Sequence, residues 1–240
     1  MLNAGMTPIA LAHAVGVDAK SVARWIAEDR MPYPVTRVKV AGVLGQEETF
    51  LWPALLDDSD ACAVAAAEID RVWPTRSSIS SEAWHALFSK AGKELDILVY
   101  AGAFLMETLD LADVLDWKVS HGTRVRILVG DPGSAAVRSR AEELSLDWLP
   151  LRCQSTFDYL RRVPGICLQQ HGTSNYVSVF RFDDILLANT HAYGAWACHS
   201  PVLQLHKASS RRIFDFYRHS FERVWAQAGR SSKQPSLVIE

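Results

Sequence analysis

The chain has 240 residues, with 25 basic and 27 acidic side chains and a formal net charge of −2. Hydrophobic residues make up 49% and charged residues 22%, a globular balance that excludes a disordered chain, a collagen and a polybasic nucleic-acid tail. A near-neutral total does not exclude DNA binding, which needs a local basic patch rather than a global excess.

In chain order, Thr7-Pro8 predicts a helix start, with Thr7 as N-cap and Pro8 at the first helical position. Gly16 separates this helix from a second that opens at Asp18, and a third apolar segment runs near Val35 to Leu44. Asp57-Asp58-Ser59-Asp60 reads as a solvated acidic connector. Beyond it helices and strands alternate. Ser80 to Ala91 predicts a helix capped by Ser80 or Ser81, and Leu95 to Ala101 a buried strand. Leu105 to Ser120 predicts a helix, Arg124 to Gly130 a second buried strand, and Ser134 to Leu144 another helix. Continuous apolar runs between helices point to a parallel sheet covered on both faces. Ile166 to Gln170, Tyr176 to Phe182 and Ile185 to Asn189 predict further strands, with Asp183-Asp184 a tight turn and Ile213 to Ala228 a closing amphipathic helix. The expected class is α + α/β. A helical domain covers 1–58, a connector 59–75, an α/β domain 76–228 and a disordered tail 229–240.

Cys62, Cys153, Cys167 and Cys198 are scattered without a CxxC pair, which points to reduced thiols in a cytoplasmic protein. Met1 to Gly5 has no basic stretch leading into an apolar one, so no signal peptide is expected. No apolar run nears the roughly 20 residues of a membrane helix. The close Cys/His pairs, Cys167 with His171 and Cys198 with His199, lack structural zinc spacing, so neither a metal nor a cofactor is expected.

Residues 7–26 carry a helix-turn-helix pattern. Such a motif needs a small residue where two helices cross, a glycine at the turn and apolar residues at the buried positions. Ala12 and Gly16 supply the first two; Leu11, Val15, Val17, Val22 and Trp25 supply the third. Asp18 is the expected N-cap of the second helix. On that helix Val22, Trp25 and Ile26 share one face, while Lys20 and Arg24 share the opposite one. Lys20, Ser21 and Arg24 are placed to reach a major groove, and Arg30, Tyr33, Arg37 and Lys39 to hold phosphates. The plainer alternative is a helical bundle with charged outer faces.

Residues 7–56, with Val17-Asp18-Ala19-Lys20-Ser21-Val22-Ala23-Arg24-Trp25-Ile26 and Leu51-Trp52-Pro53, resemble the XRE (Cro/C1-type) regulators common in actinobacteria. That resemblance implies a five-helix DNA-binding domain acting as a dimer on a palindromic operator.

Two loops carry the polar interest of the second domain. Gly130-Asp131-Pro132-Gly133-Ser134 joins a strand to a helix, where free N–H groups suit an anion; a plain capped turn is the alternative. The stretch from His171 to Gly194 is richer. On its first strand Tyr176, Ser178 and Phe180 share one face, and Val177, Val179 and Arg181 the other; Asn189 and His191 also share a face. The ligand-binding candidates are Asp131, His171, Tyr176, Ser178, Arg181, Asn189, His191 and Tyr193, with edge polar groups satisfied by turns as the alternative. The aromatic stripe Phe214, Tyr217, Phe221, Val224 and Trp225 reads as core or dimer interface.

Residues 80–225 resemble a phospholipase D-like domain found downstream of the helix-turn-helix in such regulators. The likeness rests on Ile97-Leu98-Val99-Tyr100-Ala101-Gly102, Arg126-Ile127-Leu128-Val129-Gly130-Asp131-Pro132, Phe180-Arg181-Phe182-Asp183-Asp184, Ala188-Asn189-Thr190-His191-Ala192-Tyr193-Gly194, Pro201-Val202-Leu203 and Ser220-Phe221-Glu222-Arg223-Val224-Trp225. Phospholipase D enzymes use two HxKxxxxD motifs for nucleophilic and acid chemistry at phosphorus. This sequence has none; Ser178 stands about where a histidine would fall, and His206-Lys207 lacks the spacing. The resemblance therefore implies a ligand-binding or dimerisation domain with no catalytic residues. The expected partners are double-stranded operator DNA, a second copy of the chain and a small ligand, phosphorylated in one reading. The alternative is a phosphodiesterase or nuclease with a rearranged site using His171, His191 or His206.

The near-neutral total averages unlike regions. Lys20, Arg24, Arg30, Arg37 and Lys39 crowd the proposed recognition helix, while the connector holds Asp57, Asp58, Asp60, Glu68 and Asp70 against Arg71. Useful DNA affinity is thus expected to rest on dimeric, sequence-specific contacts.

Overall fold

The computed structural model describes residues 6–28, 30–52, 55, 65–208 and 212–231. The acidic run at 57–60, Cys62 and the tail beyond 231 lie outside these residues. Contacts divide the chain into two compact units, Met1–Val64 and Ala65–Glu240.

The first unit contains, among the described residues, α1 (Pro8–Val15), α2 (Ala19–Ala27), α3 (Pro34–Leu44) and the short α4 (Glu48–Leu51). Thr7 Oγ accepts from Ala10 N at 3.2 Å and starts α1. Gly16 ends it with φ 75°, the left-handed conformation that costs glycine least. Asp18 Oδ1 accepts from Ser21 N at 2.9 Å and starts α2; these bonds hold its carboxyl below the usual range. Leu11, Ala12, Val15, Val22, Val40 and Leu44 form the core, with Val17 and Trp25 half-buried against it. Ile26, expected on the same face as Val22, is 51% exposed.

The second unit is built on one sheet. Its described strands are β1 (Ile69–Trp73), β2 (Glu94–Leu98), β3 (Arg124–Gly130), β4 (Cys167–His171), β5 (Val177–Phe182), β6 (Ile185–Thr190) and β7 (Val202–His206). They run in the order β1-β7-β6-β5-β2-β3-β4. Only β2/β3 and β3/β4 are parallel; the other four pairings are antiparallel. The sheet is mixed, which corrects the all-parallel expectation: an antiparallel strand buried on both faces carries the same continuous apolar run.

One face is covered by α5 (Ser81–Lys90), α6 (Ala103–Thr108), α7 (Leu111–Ser120), α8 (Ala135–Leu144) and α9 (Leu149–Leu160). The other is covered by α10 (Arg212–Ser231), whose Phe214, Phe221, Val224 and Ala228 pack on Leu98, Leu128, Val179 and Leu186. The helix expected over 105–120 is two helices, broken at Leu109, which is extended (φ −131°) and 4% exposed. Residues 229–231, expected in the tail, belong to α10, which continues to Ser231. The expected connector also holds structure: β1 edges the sheet, and Glu68 caps α10. Glu68 accepts from the backbone N–H groups of Arg212 (2.6 Å), Ile213 (3.0 Å) and Phe214 (2.8 Å).

Beneath α10 the sheet buries charge. Asp96 on β2 is 1% exposed and takes Arg126 Nε at 2.7 Å and Arg181 Nη1 at 3.2 Å from the strands on either side. Arg126 also reaches Glu222 on α10 at 2.7 Å. Burial opposes the Arg126 charge, but the hydrogen bonds it donates to Glu222 and Asp96 outweigh it and raise its pKa. Asp96→Asn removes the carboxylate that both guanidiniums share, leaving Arg126 with Glu222 and Arg181 with Glu94. It should destabilise the unit by roughly 1.5–3 kcal/mol, the cost of losing hydrogen bonds between charged groups. An unchanged urea midpoint would overturn this role.

Candidate functional site

A cavity of ≈ 250 Å³ opens in the second unit at the carboxyl end of β2. Its floor is the turn Val99 to Phe104. Gly102 makes that turn (φ 66°), and a Cβ there would sit 2.8 Å from Val99 Cγ2. Tyr100 is held from both sides: its hydroxyl donates to Thr173 O (3.1 Å) and accepts from Asn175 N (2.9 Å).

Ser178 on β5 and His191 after β6 form the polar centre, with Oγ and Nε2 3.2 Å apart. His191 is held there by its backbone N–H, which donates to Tyr176 O at 2.8 Å. Burial, then the nearby charges of Arg140 and Arg76, push the His191 pKa down to about 4. The imidazole is therefore neutral at pH 7.

Three arginines line the wall, and two are answered. Arg140 on α8 pairs with Glu143, donates to Ala195 O at 2.8 Å and lies 5.0 Å from the Tyr176 ring. Glu143 in turn accepts from the Tyr176 hydroxyl (2.9 Å) and from Gly194 N, so one buried carboxylate ties α8 to the 192–195 turn. Arg152 on α9 pairs with Glu107 at 2.9 Å. Arg76, in the 3-10 turn Arg76–Ser78, differs. Its guanidinium lies 3.9 Å from the Phe104 ring, and burial lowers its pKa to about 10. No carboxylate pairs with it among the described residues. At the mouth Trp148 and Trp196 stand 46% and 42% exposed with ring centroids 6.3 Å apart.

Of the eight ligand-binding candidates, the structure places Ser178 and His191 in the cavity, and Tyr176 beside it through Glu143 and Arg140. Tyr193 is 80% exposed. The other four are occupied elsewhere. Asp131 Oδ1 accepts from Gly133 N at 2.9 Å, the plain turn. His171 is 2% exposed, bonds Val99 O through Nε2 (3.1 Å) and packs on Tyr100. Arg181 sits on the opposite sheet face with Asp96 and Glu94. Asn189 donates to Ser200 O and Pro201 O, both at 3.1 Å. Sequence reading missed Arg76, Arg140, Trp148 and Arg152. Leu149-Pro150, a helix-start signal, would have flagged α9 and hence Trp148 and Arg152; Arg76 has no local signal.

In the first unit Lys20, Arg24 and Arg30 are exposed, and Tyr33 is 85% exposed. Two of the expected DNA contacts are engaged internally. Ser21 Oγ donates to Asp18 Oδ2 at 3.0 Å. Arg37 Nε donates to Glu48 Oε2 at 3.0 Å and its Nη1 to Pro32 O at 3.3 Å.

No protein-family model matches the chain, and no curated protein matches it. Among solved structures, the archaeal chromatin protein TrmBL2, described with a novel mode of DNA binding, is 16% identical over 93% of this chain and 87% of its own, at a TM-score of 0.40. Nuc from Salmonella typhimurium, a phospholipase D family member, is 14% identical over 60% of this chain and 88% of its own, at a TM-score of 0.37. Likeness at that level identifies neither the fold nor the function of this chain. Among the described residues no helix is long and apolar enough to cross a membrane.

The depressed His191 pKa has a stability consequence with a definite sign. Between its ordinary 6.5 and about 4, the unfolded chain binds a proton that the folded chain does not. Folding therefore weakens as pH falls through that window, by up to about 3 kcal/mol from this group. His171, lowered by burial, adds in the same direction. In His191→Gln the denaturant midpoint should fall less between pH 7 and pH 4.5 than in the parent protein; equal falls would overturn the assignment.

Proposed function

We propose that the protein is a DNA-binding transcriptional regulator whose second unit binds a small ligand in the Ser178–His191 cavity. The observation that carries the DNA-binding part is the α1–turn–α2 pair. Gly16 turns the chain, Asp18 caps α2, and α2 buries Val22 while leaving Lys20 and Arg24 exposed. A helix held by one face with basic residues on the other suits a major groove. The resemblance to XRE regulators supports the same reading and adds a dimer on a palindromic operator. Phosphate contacts fall to Arg30 and Tyr33 rather than to Arg37, whose guanidinium Glu48 already holds.

The test uses duplexes enriched from a random library by the full chain. The double variant Lys20→Ala/Arg24→Ala should bind them at least about tenfold more weakly, since each base-edge contact contributes roughly 1–3 kcal/mol. Far-UV circular dichroism should not change. Unaltered binding would refute the role given to α2.

One observation favours a second reading, a phosphodiesterase: the hydrogen bond between Ser178 and His191 inside the cavity. Of His171, His191 and His206, it is His191 that lines it. Sustained hydrolysis of bis(4-nitrophenyl) phosphate, lost in His191→Ala, would support that reading. No turnover above buffer would dismiss it.

A further inference from the structure

From the charge balance of the cavity walls, we infer that this site takes a small flat-ring monoanion: one delocalised oxyanion, carboxylate or phosphodiester, on an aromatic body. The inference rests on the ligand-binding reading above and specifies the ligand's chemistry.

Charge comes first. Arg140 is answered by Glu143 and Arg152 by Glu107. His191 is uncharged at pH 7, because burial and the two neighbouring guanidiniums disfavour its proton. Arg76 is left as the one cation on the wall with no carboxylate partner among the described residues. Arg76 is half-buried, and a partly desolvated charge without a carboxylate partner favours an incoming anion. One uncompensated positive charge balances one negative charge. A phosphate monoester, which carries about −1.5 to −2 at pH 7, exceeds it. The planar guanidinium fork also matches a two-oxygen anion, which both carboxylate and phosphodiester present.

Shape follows. Arg76 is fixed over Phe104, and the anion it holds would lie toward Ser178 and His191, whose hydroxyl and ring nitrogen add hydrogen-bonding partners. Around this polar centre the walls are aromatic: Tyr100, Phe104, Trp148 and Trp196. The two indoles are each partly exposed, and a flat ring would cover apolar surface there. At ≈ 250 Å³ the cavity falls just below the roughly 300–1,000 Å³ typical of drug-sized ligands, which suits a small metabolite and not a polymer.

The experiment titrates the full-length protein calorimetrically with defined probes at pH 7. The monoanions are indole-3-acetate and 3′,5′-cyclic AMP, which separate the carboxylate from the phosphodiester source. Indole-3-acetamide and adenosine are their neutral counterparts, and AMP is the dianion. One of the two monoanions should bind at least tenfold more tightly than its neutral counterpart and than AMP. Arg76→Gln should abolish that preference, and Arg152→Gln should leave it. Arg76→Lys keeps the charge without the fork, so it should retain the preference at reduced affinity; it also serves if the glutamine variant fails to fold. Cys198, in the same wall, gives an independent readout: the bound monoanion should slow its alkylation by iodoacetamide. Equal binding of a neutral counterpart, preference for AMP, or a preference surviving Arg76→Gln would overturn the monoanion while leaving a ligand site in place. No binding by any probe would overturn it too. The DNA-binding role fails separately, if the Lys20/Arg24 variant binds duplex normally.

Discussion

The larger unit depends on a carboxylate that has no access to water. Asp96 sits in the middle of the sheet, and its two oxygens face guanidiniums from β3 on one side and β5 on the other. Those neighbours belong to different halves of the sheet, since β3 runs parallel to β2 and β5 runs antiparallel. The ion cluster therefore fastens the seam between the two pairing modes. Each arginine also meets a second carboxylate, Glu222 for Arg126 and Glu94 for Arg181, so the cluster sets two cations against three carboxylates. Through Glu222 it also reaches α10, whose first turn Glu68 holds at its free N–H groups. Two carboxylates far apart in sequence thus seat one helix over a charged sheet face.

The cavity lies at the same seam but on the opposite face. At the end of β2 the chain turns away into α6, while β5 and β6 bring Ser178 and His191 in from the antiparallel half. Side chains from both halves of the sheet converge there to line the cavity. Arg140 and Glu143 close one wall so fully that they serve structure. Among the described residues Arg76 meets a ring face and no carboxylate.

Much of this was legible from local pattern. Thr7 and Asp18 cap the helices that the sequence predicts they cap, Ser80 rather than Ser81 caps α5, and Ser134 caps α8 as in the plain-turn alternative, because an N-cap is a contact between residues three apart. The central strands were visible as apolar runs, and Asp183-Asp184 as their turn. β1 was hidden because an exposed edge strand has no apolar run: four of its five residues face solvent. The candidate site was legible in part for the same reason. Alternation along β5 placed Ser178 and Arg181 on opposite faces correctly, yet it could not say which face carried a cavity. Arg181 consequently lies with Asp96 rather than in the cavity, and His171 with Val99 O.

By itself, then, the sequence determined where helices start, which residues alternate across each strand and which side of α2 is basic, since all of these follow from spacing within a few residues. Tertiary structure decided the direction of strand pairing, the burial of Asp96 between two arginines, and the meeting of Arg76 with Ser178 and His191, which stand more than a hundred residues further along the chain. Pairing direction depends on how distant strands dock. An arginine also looks the same in sequence whether a carboxylate answers it or not; only the packed structure shows that Arg140 has one and that Arg76 meets a ring instead.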